Sequence, residues 1–420
     1  VNAGANSGIL IRDDDHYQSD FQDGSGSHGE WTARTAGTHG NGIGVDICAG
    51  ARAFAQPLGS LNLVNGAGAV GDLSITVDNQ DATDATIAIG DIISFQTASA
   101  IVATVNGAIT VASKTLTVDG VSGTLAVGQR VIGAGISDGD EVVKIATVTS
   151  QTVVVLDKAI IVANDIPLVF AADGGTNVEA KGEEYEVTAV SGEVLTIRLL
   201  DDPAGAGLQT VIPDNSLITR RWRFSDLFDE APGTSSWATA NARGEQDEIH
   251  VAVYDTVGDI TGNAVGVAGQ RTAAVMERFA NMSKNPNGKT AQGSNNYYSD
   301  VIFAQSNFIY WTDHLAAGSN WGTDIASGTD YTLVSGIDVS TLTGGTDDYS
   351  TTNGEIALAY DKFNDTESLD INLVIGGSSS IAADTEANMD THVTMITALC
   401  ESRRDCVGFV SPYRSASVGV

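Results

Sequence analysis

Apolar positions follow different rhythms in different parts of this chain. The clearest succession of elements lies between Asp370 and Ser411. Residues 371–376 (INLVIG) form a short apolar run closed by Gly376 and Gly377, the pattern of a buried strand. A helix follows, with Asp384 or Thr385 as N-cap and Met389, Val393, Ile396 and Cys400 on one face, Leu399 beside them. Arg403 and Arg404 fall in its last turn, where cations suit the negative end of the helix dipole. Residues 406–410 (CVGFV) read as a second buried strand before Ser411 and Pro412. Two apolar strands joined by a helix predict a parallel, right-handed βαβ unit covered on both faces.

From about residue 54 to 221 the rhythm changes to alternation of Val, Ile and Thr with polar residues, punctuated by turns. This predicts an all-β region. It contains an internal echo. Ile75-Thr76-Val77-Asp78 followed by residues 88–93 (AIGDII) resembles Leu116-Thr117-Val118-Asp119 followed by 126–132 (AVGQRVI), and 183–197 parallels 140–156. The second copy lies between the halves of the first, which predicts a small β-barrel or sandwich with another of its kind inserted. Ser191-Gly192 is placed as a hairpin turn.

Outside this region the pattern is mixed α and β. Residues 8–12 and 44–48 allow strands, and 247–254 (DEIHVAVY) predict a good one with Ile249, Val251 and Val253 on one face. Residues 270–284 fit either a helix or a strand and loop. Helices are expected over 297–305 and 355–363, a strand over 308–311, and a loop over 336–348. The fold class is therefore an α/β (α+β) core split by an all-β insertion of small barrel or sandwich units, one nested in the other. Residues 1–54 and 222–420 would form the discontinuous core, 55–102 and 171–221 the outer insertion, and 103–170 the nested one. Trp222, Tyr310 and Trp311 are expected to be buried against the βαβ unit.

The chain has 420 residues and a net charge of −32, enough length for several domains and enough acidity to repel nucleic acid and anionic membrane surfaces. No apolar run reaches the roughly 18–20 residues that span a bilayer, and no signal peptide is visible. The three cysteines, Cys48, Cys400 and Cys406, sit in apolar strand or helix contexts and are expected to be buried free thiols made in a reducing compartment. A start at Val1 rather than Met fits a fragment.

Candidate chemistry is sparse. Asp13-Asp14-Asp15-His16 is oxygen-rich, but neighbours in an extended loop point apart and do not converge on a metal. His250 sits at the polar phase of a strand, a structural position. Residues 376–380 (GGSSS) occupy the strand-to-helix loop where α/β folds bind phosphates, yet lack the GxxxxGK[ST] lysine and the GxGxxG pattern. No catalytic constellation, metal site or cofactor site is assigned, and the chain is read as a non-enzyme.

One further pattern bears on function. Residues 221–228 (RWRFSDLF), 231–234 (APGT), 247–251 (DEIHV), Glu277-Arg278-Phe279, Met282-Ser283-Lys284, residues 295–298 (NNYY), Tyr310-Trp311, residues 343–348 (TGGTDD) and 403–406 (RRDC) occur in an order that resembles the tail sheath proteins of contractile-tailed bacteriophages. The resemblance is good over 222–412 and weaker over 31–48. The β insertion resembles only in position the variable outward-facing part of such sheaths. The chain starts and stops inside the pattern, so the extreme terminal parts of a full sheath protein are expected to be absent.

Membership of that family implies a structural virion subunit, made in the host cytoplasm and assembled with itself as stacked hexameric rings around a tail tube. Its partners would be the tube, baseplate and tail terminator proteins, with no nucleic acid and no membrane insertion. Contraction would drive the tube through the host envelope by a switch between lattice states rather than by a nucleotide. Terminal arms would knit neighbours by strand addition. Arg403 and Arg404, expected to be exposed at the helix end, are the candidate inter-subunit or tube contacts, with dipole compensation alone as the competing reading. The alternative function is a surface- or carbohydrate-binding β module on an α/β scaffold, favoured if aromatics are exposed on the insertion, where Phe95, Phe170 and Tyr185 look like core positions.

Overall fold

The computed structural model describes residues 9–24, 28–56, 64–77, 87–99, 101–133, 136, 143–171, 183–214, 216–315, 318–333, 337–347, 351–377 and 385–411. It is mixed α and β, with mostly antiparallel sheets, and divides into two compact units, Val1–Gly345 and Thr346–Val420.

The first unit is built on a four-stranded antiparallel sheet in the order Val275–Ser283, Glu248–Asp255, Ile43–Cys48, Ile337–Thr341. Alternation along the two middle strands sends side chains to two different cores. Ile43, Val45, Ile47, Ile249, Val251 and Val253 face one that includes Trp31, Tyr298, Ile302, Trp311 and Trp321. Cys48, Ala252 and Tyr254 face the other, with Trp222, Phe224 and Phe228. A Cβ on Gly44 would meet the Tyr254 ring at 2.4 Å, so that ring lies flush against the sheet only because position 44 is glycine.

Several expectations are revised here. The 270–284 ambiguity resolves as strand Val275–Ser283. Residues 337–341 are a fourth strand rather than a loop, ordered by pairing with Ile43–Cys48. Residues 9–12 form no strand, and the acidic cluster that follows opens a short helix, Asp14–Asp20. Asp13 caps it by accepting from the His16 amide at 2.8 Å, and Asp14 and Asp15 lie in its first turn, where the dipole favours anions. Tyr17 anchors it, donating its hydroxyl to the Trp311 carbonyl at 2.6 Å and stacking on Tyr310. Trp222, Tyr310 and Trp311 are buried as expected, but each lies in a cluster of the first unit's own side chains, since the strand–helix–strand element belongs to the second unit.

Described residues between 55 and 221 are strand and turn. One six-stranded sheet runs Ala55–Gln56, Ser216–Arg221, Ile92–Ser99, Tyr185–Ser191, Val194–Leu199, Ser74–Thr76. Another runs Arg130–Ile132, Pro167–Ala171, Ile101–Val105, Ile109–Asp119, Val153–Val162, Ile145–Ser150. Each has its own apolar core. The sequence echo is matched bond for bond. Gly90 N–H donates to the Val187 carbonyl and Gly128 N–H to the Ile145 carbonyl; Val187 and Ile145 donate back to Asp91 and Gln129; Val77 and Val118 donate to Glu193 and Thr152. The side chains of Asp91 and Gln129 accept from the amides of Ala88 and Ala126, closing the same turn twice. Gly192 takes a positive φ in the Ser191-Gly192 hairpin, as its position in the sequence requires.

Buried ion pairs flank the join between the central sheet and the first β sheet. Arg223 Nε donates to Asp46 at 2.9 Å, with Tyr254 and Trp222 donating to the same carboxylate. Arg220 lies 3.4 Å from Asp91. Removing one partner of either pair strands a buried charge, and the Arg223–Asp46 pair is the one that ties the segment after Ser216–Arg221 to the central sheet.

Candidate interaction surface

The second unit is small and unevenly covered. Thr352 and Glu355 form a capping box that starts helix Asn353–Asp361, and Thr385 caps helix Glu386–Arg403. Strands Leu373–Ile375 and Val407–Phe409 pair in parallel, as the sequence predicts, with Leu373 opposite Val407 and Ile375 opposite Phe409. Val374 packs on Ile396 and Leu399, and Gly408 lets the helix approach, since a Cβ there would lie 2.7 Å from Ile396 Cγ2.

Among the described residues of the second unit, none covers the other face. Leu373, Ile375, Val407 and Phe409 are 51%, 71%, 60% and 58% exposed, so the expectation of strands buried on both faces is corrected. Covering them would contribute about 1.5–3 kcal/mol per side chain, a driving force the described residues of the second unit leave unused.

The long helix also differs from its predicted face. Its buried residues are Met389, His392, Ile396, Leu399 and Arg403, with the predicted Val393 and Cys400 only half-buried at the margin of that face. His392 Nε2 reaches the Gly376 carbonyl at 2.6 Å, which draws the ring inward. Residues 378–380 of the glycine-serine loop lie outside the described residues.

Arg403 and Arg404, adjacent in sequence, are placed in opposite ways. The Arg403 side chain is buried, contrary to the expectation of exposure. It donates to the carbonyls of Phe363 (2.5 Å), Asp365 (2.8 Å) and Leu369 (2.7 Å) and bidentately to Asp405 (3.0 and 2.8 Å). All five guanidinium donors are thus satisfied within the unit. Arg404 is exposed and caps the helix in the left-handed region at φ 63°, its amide donating to the Cys400 carbonyl.

Cys48 is buried, and burial pushes its thiol up to about 12. Cys400 and Cys406 are only half-buried, a correction to the buried-thiol expectation, and Cys406 Sγ lies 3.8 Å from Cys400 Sγ. A cavity of about 270 Å³ opens beside them, lined by Ile396, Thr397, Cys400, Glu401, Gly408 and Val410.

Sequence reasoning missed Lys284, whose side chain is fully buried in the first unit. Its ammonium donates to the carbonyls of Ala49 and Gln246 and sits 5.1 Å over the Trp321 ring. Burial, only partly offset by Asp247, lowers its pKa to about 7. His250 is likewise structural: Nδ1 accepts from the Asn281 amide, which leaves Nε2 to donate to the Glu230 carbonyl, and the ring stacks on Phe228. Burial lowers its pKa. Among the described residues no group of three His, Cys, Asp or Glu is placed to hold a metal ion, and no helix is long and apolar enough to cross a membrane.

Compared with known proteins, the chain is similar to the tail sheath protein of Enterobacteria phage T4, with 30% identity over 127 residues. The match takes in 30% of this chain and spans 17% of that relative's length. No protein-family model matches the chain. No solved structure matches it either.

Proposed function

We propose that this chain is a structural subunit of a contractile phage tail sheath, without enzymatic activity. The observation that carries the reading is the similarity to the T4 tail sheath protein. In this reading the subunit forms stacked hexameric rings around a tail tube, meets baseplate and terminator proteins at the ends, and contracts to drive the tube through the host envelope. It is made in the host cytoplasm and resides in the virion. The bare apolar face of the second unit supports it, because a subunit that buries such a face against a second copy of itself presents it open when alone. The insertion, divided at residues 55–102, 103–170 and 171–221, is the outward decoration. Arg404, exposed at the helix end, is the candidate contact of the arginine pair, and Arg403 holds the turn that presents it.

The reading as a carbohydrate-binding module gains nothing from the insertion's aromatics. Phe95, Phe170 and Tyr185 are all buried in the cores of their sheets, leaving no exposed ring on which a sugar could stack.

Negative-stain electron microscopy of the full-length protein tests the proposal. Tubes or stacked rings are expected, and Ile375→Asp with Phe409→Asp should convert them to dispersed particles. Dispersed wild-type particles across a range of salt would remove the sheath reading.

A further inference from the structure

Cys400 and Cys406 stand out among the groups that the assembly reading does not use. They occupy the two sides of the turn that joins helix Glu386–Arg403 to strand Val407–Phe409. Their sulfurs are in contact at 3.8 Å, against about 2 Å in a disulfide. The turn between them is held on both sides: Arg404 reverses the chain in the left-handed region, and the Arg403 guanidinium ties Asp405 to three carbonyls of the preceding segment. A Cβ at Gly408 would lie 3.0 Å from Cys400 Sγ, so glycine makes room for that thiol. Cys400 also lines the cavity, which gives a small reagent access to its sulfur. Cys48 has none of these features.

We propose that Cys400 and Cys406 are a redox modification site, a dithiol that closes to an intramolecular disulfide on exposure to a low-molecular-weight disulfide of the glutathione type. The Cys400 thiolate attacks one sulfur of the oxidant, forming a mixed disulfide and releasing one thiolate. The Cys406 thiolate then attacks Cys400 Sγ, forming the Cys400–Cys406 bond and releasing the second thiolate. The two cysteine protons end on the two released thiols, and two electrons pass from the cysteine pair to the oxidant. Burial, together with the neighbouring Cys406 sulfur, raises the Cys400 pKa, so closure speeds up as pH rises above neutrality. Resting on the proposed sheath function, the bond would form when a subunit made in a reducing cytoplasm reaches an oxidising medium, and would pin the helix to the strand that carries the open face.

Native protein is treated with oxidised glutathione, quenched with iodoacetamide, unfolded, alkylated again and digested with trypsin. Trypsin cuts after Arg403 and Arg404 and so separates the two cysteines unless they are bridged. The expected product is the cross-linked pair of peptides, lighter by two hydrogens, lost on treatment with dithiothreitol, with Cys48 alkylated only after unfolding. Cys406→Ser should trap glutathione on Cys400. The proposal is overturned by both thiols remaining alkylatable after the oxidant, or by stable glutathione on each cysteine of the wild type. Disulfide-linked dimers through Cys400 or Cys406 overturn it as well. None of these readouts depends on rings or tubes, so failure of the sheath reading leaves the result interpretable.

Discussion

The central sheet of the first unit and the two-stranded sheet of the second are written in similar letters. DEIHVAVY and INLVIG are both short apolar runs bounded by polar or glycine residues. In the first, every side chain from Ile249 to Tyr254 is buried between two cores. In the second, Val374 alone of the strand Leu373–Ile375 is buried and its neighbours on either side face outward. An apolar run therefore states that a face needs a cover, but not whether the same chain supplies it.

Substitutions should separate the two cases. Val251→Asp puts a carboxylate between closed cores and should destabilise the first unit by roughly 4–5 kcal/mol or more in denaturant unfolding. Ile375→Asp should change the stability of the isolated chain by only about 0.5 kcal/mol, because water already reaches that position. A large loss at Ile375 would mean that its face is covered within the chain.

Arg403 tests whether the half-open unit has an internal tie. Arg403→Ala removes five hydrogen bonds and leaves three carbonyls and Asp405 without that donor, for an expected loss of about 3–5 kcal/mol in the second unit. Arg403→Lys should recover less than half of it, since an ammonium lacks the planar fork. Circular dichroism of the two variants in denaturant reads this directly.

A third contrast is electrostatic and confined to the closed region. Lys284 ionises at about 7 when folded and near its ordinary value of 10.5 when unfolded. Above pH 7 the unfolded chain therefore binds the extra proton, and stability should rise with pH by up to roughly 1 kcal/mol per unit. Cys48 acts in the opposite sense. Its folded pKa is about 12 against an ordinary 9.0, so the stability it contributes is full below pH 9 and declines above it. Unfolding midpoints should climb between pH 7 and about 9 and then level off, and Lys284→Met should flatten the climb. A gain rather than a loss is expected at Arg404. Glycine there relieves the left-handed strain of the cap, and Arg404→Gly should raise the second unit's thermal midpoint by the equivalent of about 1 kcal/mol.

What was legible in the sequence was local and repetitive. The strand–helix–strand succession, the Ser191-Gly192 hairpin and the paired echo were readable because alternation, capping residues and glycines act over a few positions. What escaped depended on distant partners. Residues 337–341 (IDVST) carry only a brief alternation between Gly336 and the glycines at 344 and 345, too short to mark a strand, yet Ser340 is buried and donates to Glu30 while Ile43–Cys48 supplies the ladder. Helix Asp14–Asp20 has a single apolar anchor, Tyr17, whose partners lie nearly three hundred residues away. Arg403 looked exposed because a helix-end arginine normally is, and only the carbonyls of Phe363, Asp365 and Leu369 explain its burial. Lys284 gave no local signal at all.

The paired sheets of the β region also bear on the order in which the chain folds. Strand Ile92–Ser99 pairs with Tyr185–Ser191, so everything between them must be spanned before that ladder closes. Yet Ile101 and Phe170 are themselves ladder partners. Once the intervening sheet has formed, its entry and exit are adjacent, and the loop that remains to be closed shrinks to the segments 94–100 and 171–184. Closure entropy grows with the logarithm of loop length, and pairings distant in sequence form slowly. The intervening sheet is thus expected to gain amide protection before the flanking one in pulsed hydrogen exchange, with simultaneous protection as the outcome that counts against it. A polypeptide that looks hard to fold by its longest contacts would then be a sequence of short closures.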